Sequence, residues 1–257
     1  MNLSFDQSLA DKYTSPSQII RVLTESWVSN NIYCPRCGCP QIHRFPNNQA
    51  VADFFCPNCR NEYELKSKSG TIGKKIADGA YGTFIERITS NNNPDFFILS
   101  YSMEELCVND LWVVPKYFFV PEIVEKRNPL ADTAKRSGWV GCNILFNQIP
   151  AQGQIELIKN RVPIAKETVI NNMRRASLLK TRDLEARGWL LDVLSCLNSI
   201  HSDQFLLEDV YRFEDSLAIK HPQNHNIRAK IRQQLQVLRD KGFITFLGNG
   251  CYLKRNE

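Results

Sequence analysis

The sequence predicts an α/β protein of two domains: a larger domain built on a mixed sheet, and a smaller domain of three helices and a β-hairpin. In the larger part, helical patterns alternate with short apolar runs, and a turn-forming segment at residues 91–94 precedes a buried strand pattern. In the smaller part, three helical patterns follow one another after residue 184. The expected domains are residues 1–183 and 184–257.

Local patterns give the elements of the larger domain in order. Apolar residues at helical spacing predict a helix over residues 16–30, and a second helical pattern covers residues 78–89. A polar, basic stretch at residues 171–183 is interpreted as a linker or a bridging helix. The expected strands are residues 50–55, 61–67, 94–102, 111–114 and 154–157.

The smaller domain has the element order of a winged helix-turn-helix. Helical patterns cover residues 185–197, 205–217 and 225–241. Residues 242–254 then predict two short strands about a Gly-Asn-Gly turn. About 70 residues are enough for such a domain, in which one helix enters the major groove of DNA.

Composition is that of an ordinary globular protein, with 43% hydrophobic and 23% charged residues. We find no stretch as long as a membrane span and no apolar core of a signal peptide at the start. The nine cysteines are an odd number, which argues against a secreted disulfide framework. We therefore expect a cytoplasmic protein, acting as a monomer and not bound to membranes.

Positive charge is concentrated at the end of the chain. The whole chain has a net charge of +5, whereas residues 220–257 alone carry eight basic and two acidic residues. This excess predicts a polyanionic partner, with a solvated helix face as the alternative. The basic residues are Lys220, Arg228, Lys230, Arg232, Arg239, Lys241, Lys254 and Arg255.

Four cysteines form two Cys-x-x-Cys pairs, Cys34/Cys37 and Cys56/Cys59, with eighteen residues between the pairs. Each turn aims two sulfur atoms at one centre, and two such turns supply the tetrahedral thiolate ligands of Zn²⁺. All four positions would be filled by protein, so we expect the zinc to be structural. Cys39 is an alternative ligand, although the turn from Cys34 to Cys37 fits better.

An acidic residue before the second cysteine pair and a Glu-x-Lys after it have the order of a metal-dependent nuclease site. Glu64 and Lys66 share one face of a strand, and Asp53 can be placed opposite them on the partner strand. Two carboxylates and the Leu65 carbonyl are oxygen ligands of the type that Mg²⁺ prefers. Glu62 has the same parity as Glu64 and is a rival ligand. Ion pairs that merely face water are the alternative interpretation.

Long segments of the chain resemble the DpnI-type methyl-directed restriction endonucleases, which belong to the PD-(D/E)xK nuclease superfamily. The resemblance runs through almost the whole chain, although Ala52 stands where the superfamily motif has proline. The matching segments are VADFFC and ELKSK around the acidic residues, NNPDFFILSY, PLADTAKRSGWVGCNI, RGWLLDVL and IRQQLQVLRDK.

The resemblance implies a definite activity. Such enzymes cleave double-stranded DNA at GATC when the adenine carries an N6-methyl group. By motif match, Asp53, Glu64 and the Leu65 carbonyl would hold Mg²⁺, and Lys66 would be the catalytic lysine. The four cysteines of the two pairs would hold Zn²⁺. The family reads methylated DNA in the catalytic domain and again in the winged helix.

The resemblance also implies that Trp139 contacts the methyladenines. Independently, Trp139 follows Lys135 and Arg136 in a basic loop, a context that suits an apolar contact to a methyl group while cations hold phosphate. A buried core tryptophan is an equally good interpretation of the sequence alone.

The third helix of the smaller domain is expected to present a DNA-reading face. Ile227, Ile231, Leu235 and Leu238 form its buried stripe. Asparagine and glutamine pair with adenine in the major groove, and arginine pairs with guanine. The outward candidates are Asn226, Arg228, Lys230, Arg232, Gln233, Gln236 and Arg239.

Two other functions fit parts of the sequence. A zinc-containing methyl-DNA reader or transcription regulator without catalysis would explain the cysteines, the basic helix and Trp139, but would leave Asp53, Glu64 and Lys66 without a role. A DNA repair nuclease would share the active site but not the sequence reader. Cleavage assays with methylated and unmethylated plasmid, with and without Mg²⁺, separate the three.

Overall fold

The first predicted helix is present in the computed structural model as α1 (Pro16–Asn31). Pro16 lies in the first turn, where the missing N–H has no intrahelical partner to lose. Leu23, Trp27 and Val28 are buried along one side, as the helical spacing predicted. The chain turns to an extended conformation at Ile32 and ends the helix.

The structure describes residues 1–46, 52–90, 92–181 and 183–255. The chain forms two compact units, Met1–Ser177 and Leu178–Glu257. The domain boundary predicted after residue 183 remains a prediction. The same holds for the assignment of catalysis to residues 1–183 and of DNA binding to residues 184–257. Within the described ranges, no helix has both the length and the apolar character needed to cross a membrane.

Besides α1, the larger unit contains two helices and the strands of two sheets among the described residues. The helices are α2 (Tyr81–Thr89) and α3 (Lys166–Ser177). The strands are β1 (His43–Arg44), β2 (Phe54–Phe55), β3 (Glu62–Ser69), β4 (Ile76–Ala80), β5 (Asp95–Ser102), β6 (Cys107–Val114), β7 (Val124–Lys126), β8 (Gly141–Ile144), β9 (Ile155–Lys159) and β10 (Val162–Pro163).

The main sheet is mixed, as the sequence predicted. In the described part of the chain it has seven strands in the order β1-β2-β3-β5-β6-β9-β10. Strands β3 and β5 are parallel, and the other neighbours are antiparallel. Strand β5 is buried along almost its whole length, so the sheet's centre forms the core. The parallel pair requires a crossover, which contains β4 and α2.

A second, three-stranded sheet has the order β4-β8-β7. Strand β4 pairs with β8, which follows directly after the loop that carries Trp139. The register between β4 and β8 shifts between Asp78 and Ala80, which leaves Gly79 unpaired as a bulge. Asp78 therefore lies on β4, and the Trp139 loop leads directly into β8, the strand that pairs with β4.

Two sequence-based assignments in the larger unit differ from the structure in their bounds. The helix predicted over residues 78–89 begins only at Tyr81, because the residues before it pair with β8. Such a long-range partner leaves no local pattern. The strand predicted at 50–55 is present as β2, while residues 50 and 51 lie outside the described residues, as does Asn91 of the predicted turn. The stretch at 171–183 had two interpretations, a linker or a bridging helix, and residues 171–177 are helical as the end of α3.

The smaller unit is a winged helix-turn-helix in its element order. A three-stranded sheet has the order β11-β13-β12, and β12 and β13 form the predicted hairpin. Gly248, Asn249 and Gly250 all have positive φ, which explains the Gly-Asn-Gly turn. The elements are α4 (Leu184–Ser199), β11 (Gln204–Leu206), α5 (Leu207–Tyr211), α6 (Glu214–Lys220), α7 (Ile227–Asp240), β12 (Ile244–Gly248) and β13 (Cys251–Lys254).

The single helix predicted over residues 205–217 is wrong. Its first residues form β11, whose partner β13 is some fifty residues further along the chain. The Asp209 carboxylate accepts a hydrogen bond at 2.9 Å from the Leu206 N–H, which fixes the start of α5. The chain then turns at Phe213, and α6 follows as a separate helix.

Candidate active site and metal centre

Strand β3 places Glu64 and Lys66 on one face, as the alternation of side chains predicted. The two residues lie opposite Phe96 and Ile98 of β5. Lys66 Nζ is 2.5 Å from Glu64 Oε1, and the two side chains are 15% and 14% exposed. The prediction that these residues share a face is therefore confirmed by direct contact.

Asp53 lies just before β2, on the side of β3 that faces away from β5. Its N–H donates to the Tyr63 carbonyl at 3.0 Å. Its carboxylate Oδ2 accepts a hydrogen bond from the Leu65 N–H at 2.7 Å. Burial raises the pKa of Asp53, and the negative charge of Glu64 adds to this effect, while the Leu65 hydrogen bond opposes it. The candidate residues from both sides of the second cysteine pair thus meet at the middle of β3.

Sequence reasoning missed two charged residues of this cluster. Asp78 of β4 forms an ion pair with Lys66, and its side chain is only 5% exposed. Arg87 of α2 lies with Nη1 2.8 Å from Glu64 Oε2. Both come from the segment interpreted as one helix. An aspartate with a buried side chain on a strand would have pointed to Asp78. That signal depends on knowing that β4 pairs with β8, which the local sequence does not show.

The charge state of Lys66 follows from its neighbours. Burial alone would lower the pKa of Lys66, but the negative charges of Glu64 and Asp78 outweigh burial and raise it. Lys66 is therefore an ammonium group at neutral pH in this arrangement. It can donate hydrogen bonds and stabilise negative charge, whereas it lacks the free lone pair of a base.

The carboxylates of the cluster fit a hard divalent cation. Glu64 Oε2 is buried and has the ion pair with Arg87 but no hydrogen-bond partner of good geometry among the described residues. Buried oxygen atoms in this condition are costly, and Mg²⁺ binds oxygen ligands of this type. Because Glu64 already has Lys66 and Arg87 as cationic neighbours, metal binding has to displace at least one of those contacts.

The four predicted zinc ligands come together. The ligand atoms of Cys34, Cys37, Cys56 and Cys59 all lie within 4.8 Å of one another. The sulfur atoms of Cys34 and Cys59 are 3.6 Å apart, and those of Cys37 and Cys56 are 3.5 Å apart. A tetrahedral Zn²⁺ with Zn–S bonds of about 2.3 Å has sulfur atoms about 3.8 Å apart. The donor set and its spacing fit zinc.

Two further findings bear on the cysteine cluster. Cys39 is not part of it, since its sulfur contacts the Gln41 carbonyl, so the alternative ligand is wrong. Burial raises the pKa of the Cys34 thiol to about 11, so zinc binding has to release its proton. No other group of three or more Cys, His, Asp or Glu residues in the described ranges has its ligand atoms this close together.

The cysteine cluster is tied to the main sheet by a buried ion pair. The Arg36 guanidinium, in the first Cys-x-x-Cys turn, donates two hydrogen bonds to Asp95, at 2.6 and 2.9 Å. Asp95 is fully buried at the start of β5 and also accepts from Asn61 and from the Lys116 N–H. Tyr63 of β3 lies with its hydroxyl 3.0 Å from Cys34 Sγ. The knuckle therefore supports β3 and β5, the strands beneath Glu64 and Lys66.

Trp139 is half-buried in a loop that is held by its own hydrogen bonds. The Leu130 N–H donates to the Trp139 carbonyl at 2.9 Å. The Arg136 guanidinium lies 4.7 Å from the centre of the indole ring. The ring also approaches Gly141 so closely that an added Cβ would be 2.8 Å from it. The indole is neither a core residue nor freely exposed, and Lys135 and Arg136 are exposed beside it.

Helix α7 presents the predicted face. Ile227, Ile231, Leu235 and Leu238 are buried. The outward residues are exposed except for Lys230, which is half-buried. They are Asn226, Arg228, Lys230, Arg232, Gln233, Gln236 and Arg239.

Tyr211 of α5 orients two arginines of this face. Arg232 Nη1 donates to the Tyr211 hydroxyl at 2.6 Å, and the Arg228 guanidinium lies 4.9 Å from the centre of the same ring. Arg228 also pairs with Glu214 of α6 at 2.7 Å. These contacts limit the freedom of the two long side chains, which lowers the entropy lost when they bind a ligand.

Comparison with protein families gives two matches along this chain. A family model described as the Dam-replacing family, under the name DpnI, matches residues 1–182. A second model, described as the Dam-replacing HTH domain, matches residues 185–254. The first match covers the two cysteine pairs, the acidic cluster and the Trp139 loop, and the second covers α7 and the β12–β13 hairpin.

Proposed function

This chain belongs to the DpnI, or Dam-replacing, family of methyl-directed restriction endonucleases, and we propose that it cleaves double-stranded DNA at N6-methylated GATC. We propose Mg²⁺ as its cofactor. Family membership makes the chain a site-specific deoxyribonuclease whose partner is double-stranded DNA. The alternative of a non-catalytic reader is thereby rejected. The sequence GATC, the metal and action as a monomer belong to the proposal.

The observation that carries the proposal is the meeting of Asp53, Glu64 and Lys66 at the middle of β3. Asp53 and Glu64, with the Leu65 carbonyl, would hold Mg²⁺. When bound, the metal would activate a water molecule and neutralise the charge that builds on phosphorus. The Leu65 N–H fixes one oxygen of Asp53, so this ligand is already oriented.

Lys66 would act as a hydrogen-bond donor. The negative charges of Glu64 and Asp78 favour the charged ammonium form of Lys66. A charged donor in a largely buried site orients the attacking water and stabilises the negative charge of the transition state. Of the two roles that a lysine has in such sites, orientation and deprotonation, the surroundings of Lys66 favour orientation.

Recognition of the methyl group would fall to the Trp139 loop. An indole in contact with Arg136 and close to Gly141 would present an apolar edge to an N6-methyl group, while Lys135 and Arg136 would pair with phosphate. In the other unit, the outward face of α7 would enter the major groove. Gln233 and Gln236 suit adenine and Arg228 and Arg232 suit guanine, the two purines of GATC.

Plasmid cleavage tests the proposal. With Mg²⁺, the wild-type chain should cut plasmid carrying N6-methylated GATC and leave the same plasmid without methylation intact. Asp53→Ala should abolish cleavage, because a metal ligand is lost, and should leave binding to methylated DNA nearly unchanged. The matched control is Asp110→Asn, on β6, whose carboxylate accepts from Ser100 and from a backbone N–H. Wild-type rates in Asp53→Ala would overturn the site assignment.

A further inference from the structure

Lys66 has two carboxylate neighbours that differ in origin. Glu64 lies on the same strand, with Oε1 2.5 Å from Lys66 Nζ. Asp78 comes from β4 in the second sheet and forms an ion pair with the same ammonium group. The motif that predicted Glu64 and Lys66 contains nothing that points to Asp78.

Asp78 is fixed by its own surroundings. Its side chain is 5% exposed, and the Gly79 N–H donates to Oδ1 at 2.6 Å. Gly79 is the unpaired residue of the bulge between β4 and β8, so the bulge turns this N–H toward the carboxylate. Asp78 Oδ2 is buried and has no hydrogen-bond partner within the described residues. A carboxylate buried to this extent requires a nearby positive charge, and Lys66 supplies it.

Glu64 is the less constant of the two carboxylate partners of Lys66. Under the proposed function Glu64 is a ligand of Mg²⁺, and its other oxygen is already 2.8 Å from Arg87 Nη1. An oxygen that turns to the metal no longer binds the ammonium group. Asp78 then remains as the carboxylate that fixes the position of Lys66.

We propose that Asp78 is a positioning residue, which keeps the Lys66 ammonium group in place when Glu64 binds the catalytic metal. The role in the reaction rests on the proposed function, whereas the placement of Lys66 by Asp78 does not. Asp78 acts through Lys66 and does not itself touch the reacting groups.

Replacing Asp78 by asparagine removes the charge and keeps the shape and one acceptor oxygen for the Gly79 N–H. Lys66 is then left with Glu64 as its carboxylate partner, and the ammonium group competes with Mg²⁺ for Glu64. We expect kcat to fall about 10- to 100-fold, the effect of a small misplacement of a reacting group. The Mg²⁺ concentration for half-maximal rate should rise, with unchanged affinity for methylated GATC duplex measured in EDTA.

The controls separate positioning from folding. Asp110→Asn removes a strand aspartate that also accepts two hydrogen bonds, and should leave the Mg²⁺ requirement unchanged. Asp78→Glu keeps the charge and should recover part of kcat and of the Mg²⁺ affinity. If Asp78→Asn does not fold, Asp78→Glu serves as the test, since its displaced carboxylate should still lower kcat relative to wild type at unchanged DNA affinity.

A second measurement does not depend on cleavage. The ¹⁵Nζ–¹H signal of Lys66, identified by its loss in Lys66→Met, should be visible in the metal-free wild type and weakened by faster exchange in Asp78→Asn, where Glu64 remains as the carboxylate partner. A wild type that cuts no DNA would refute the proposed function and leave this signal to decide the placement of Lys66. An unchanged signal in Asp78→Asn, or an unchanged kcat and Mg²⁺ requirement where wild type is active, would overturn the role of Asp78.

Discussion

At the scale of single residues, the side chain of Trp139 is restrained by its neighbours although it is not buried in the core. One ring face has the Arg136 guanidinium at 4.7 Å, and the ring edge abuts Gly141, where no side chain intervenes. A cation over an indole contributes about 0.5–1 kcal/mol at an exposed site, which biases the ring toward one orientation. The ring is half-buried and not a fully buried core residue, and its contact with methyladenine remains a prediction.

The orientation of the indole can be changed without removing it. In Gly141→Ala the new Cβ would meet the ring at 2.8 Å, so the indole must shift while the fold is kept. We expect the ratio of cleavage rates on methylated and unmethylated DNA to fall about tenfold in Gly141→Ala and further in Trp139→Ala, within the 1–3 kcal/mol of one base contact.

Gly82→Ala is the matched control for this measurement, because its Cβ meets nothing within 4 Å. Its rate ratio should equal that of the wild type. An unchanged ratio in both Gly141→Ala and Trp139→Ala would remove the loop from methyl recognition.

At the scale of elements, the cysteine knuckle supports the strands of the acidic cluster. Arg36 reaches from the first turn to the fully buried Asp95 of β5, and Tyr63 of β3 reaches back to Cys34. Breaking a buried ion pair by removing one partner costs about 3–5 kcal/mol. Loss of the metal should therefore disturb the sheet beneath Glu64 and Lys66 as well as the turns themselves.

Removal of one zinc ligand tests this support. Cys34→Ser should lower the thermal midpoint and the zinc content together, because structural zinc contributes directly to folding free energy. Cys39→Ser is the matched control, since Cys39 lies outside the sulfur cluster. Elemental analysis should find one zinc per chain in the wild type and in the control. Active protein without zinc, or equal destabilisation by both changes, would contradict the assignment.

The elements predicted correctly are those whose evidence is local. Helix α1, strand β5 and the buried stripe of α7 follow from periodicity within one segment, and the Gly-Asn-Gly turn follows from its need for positive φ. Strands β4 and β11 were missed because their partners are distant in sequence. The same limit hid Asp78 and Arg87. Asp53, Glu64 and Lys66 were found because motif order and strand parity are properties of the sequence itself.

At the scale of the whole molecule, the two units differ in what they offer to DNA. Met1–Ser177 holds the acidic cluster, the cysteine knuckle and the Trp139 loop, whereas Leu178–Glu257 contains the basic segment 220–257, with eight basic and two acidic residues. Cations on α7 are partly pre-oriented by Tyr211. This distribution leads us to propose that the second unit contributes phosphate contacts and base contacts, and the first contributes chemistry and methyl recognition.

Salt dependence measures the contribution of the second unit. Residues 178–257 alone should bind GATC duplexes, prefer the N6-methylated form, and lose affinity steeply with salt as counterions are released. Arg232→Ala should weaken this binding, and should reduce the salt slope by about 1 if the contact is to phosphate. Arg212→Ala is the control, because Arg212 lies outside α7 and its side chain is 79% exposed. Equal affinity for methylated, hemimethylated and unmethylated duplexes would mean that this unit binds DNA through phosphate contacts and does not recognise the methyl group.

The most direct test of methyl-dependent cleavage at GATC compares two synthetic duplexes that differ only in the N6-methyl groups of one GATC site. Both are incubated with excess enzyme and Mg²⁺ in the same tube, and the single-turnover rates and cut positions are read from distinguishable end labels. We predict rapid cleavage of the methylated duplex at GATC, none of the unmethylated duplex over the same time, and none of either with Lys66→Ala. Equal rates on the two duplexes, cuts outside GATC, or full activity in Lys66→Ala would contradict the account.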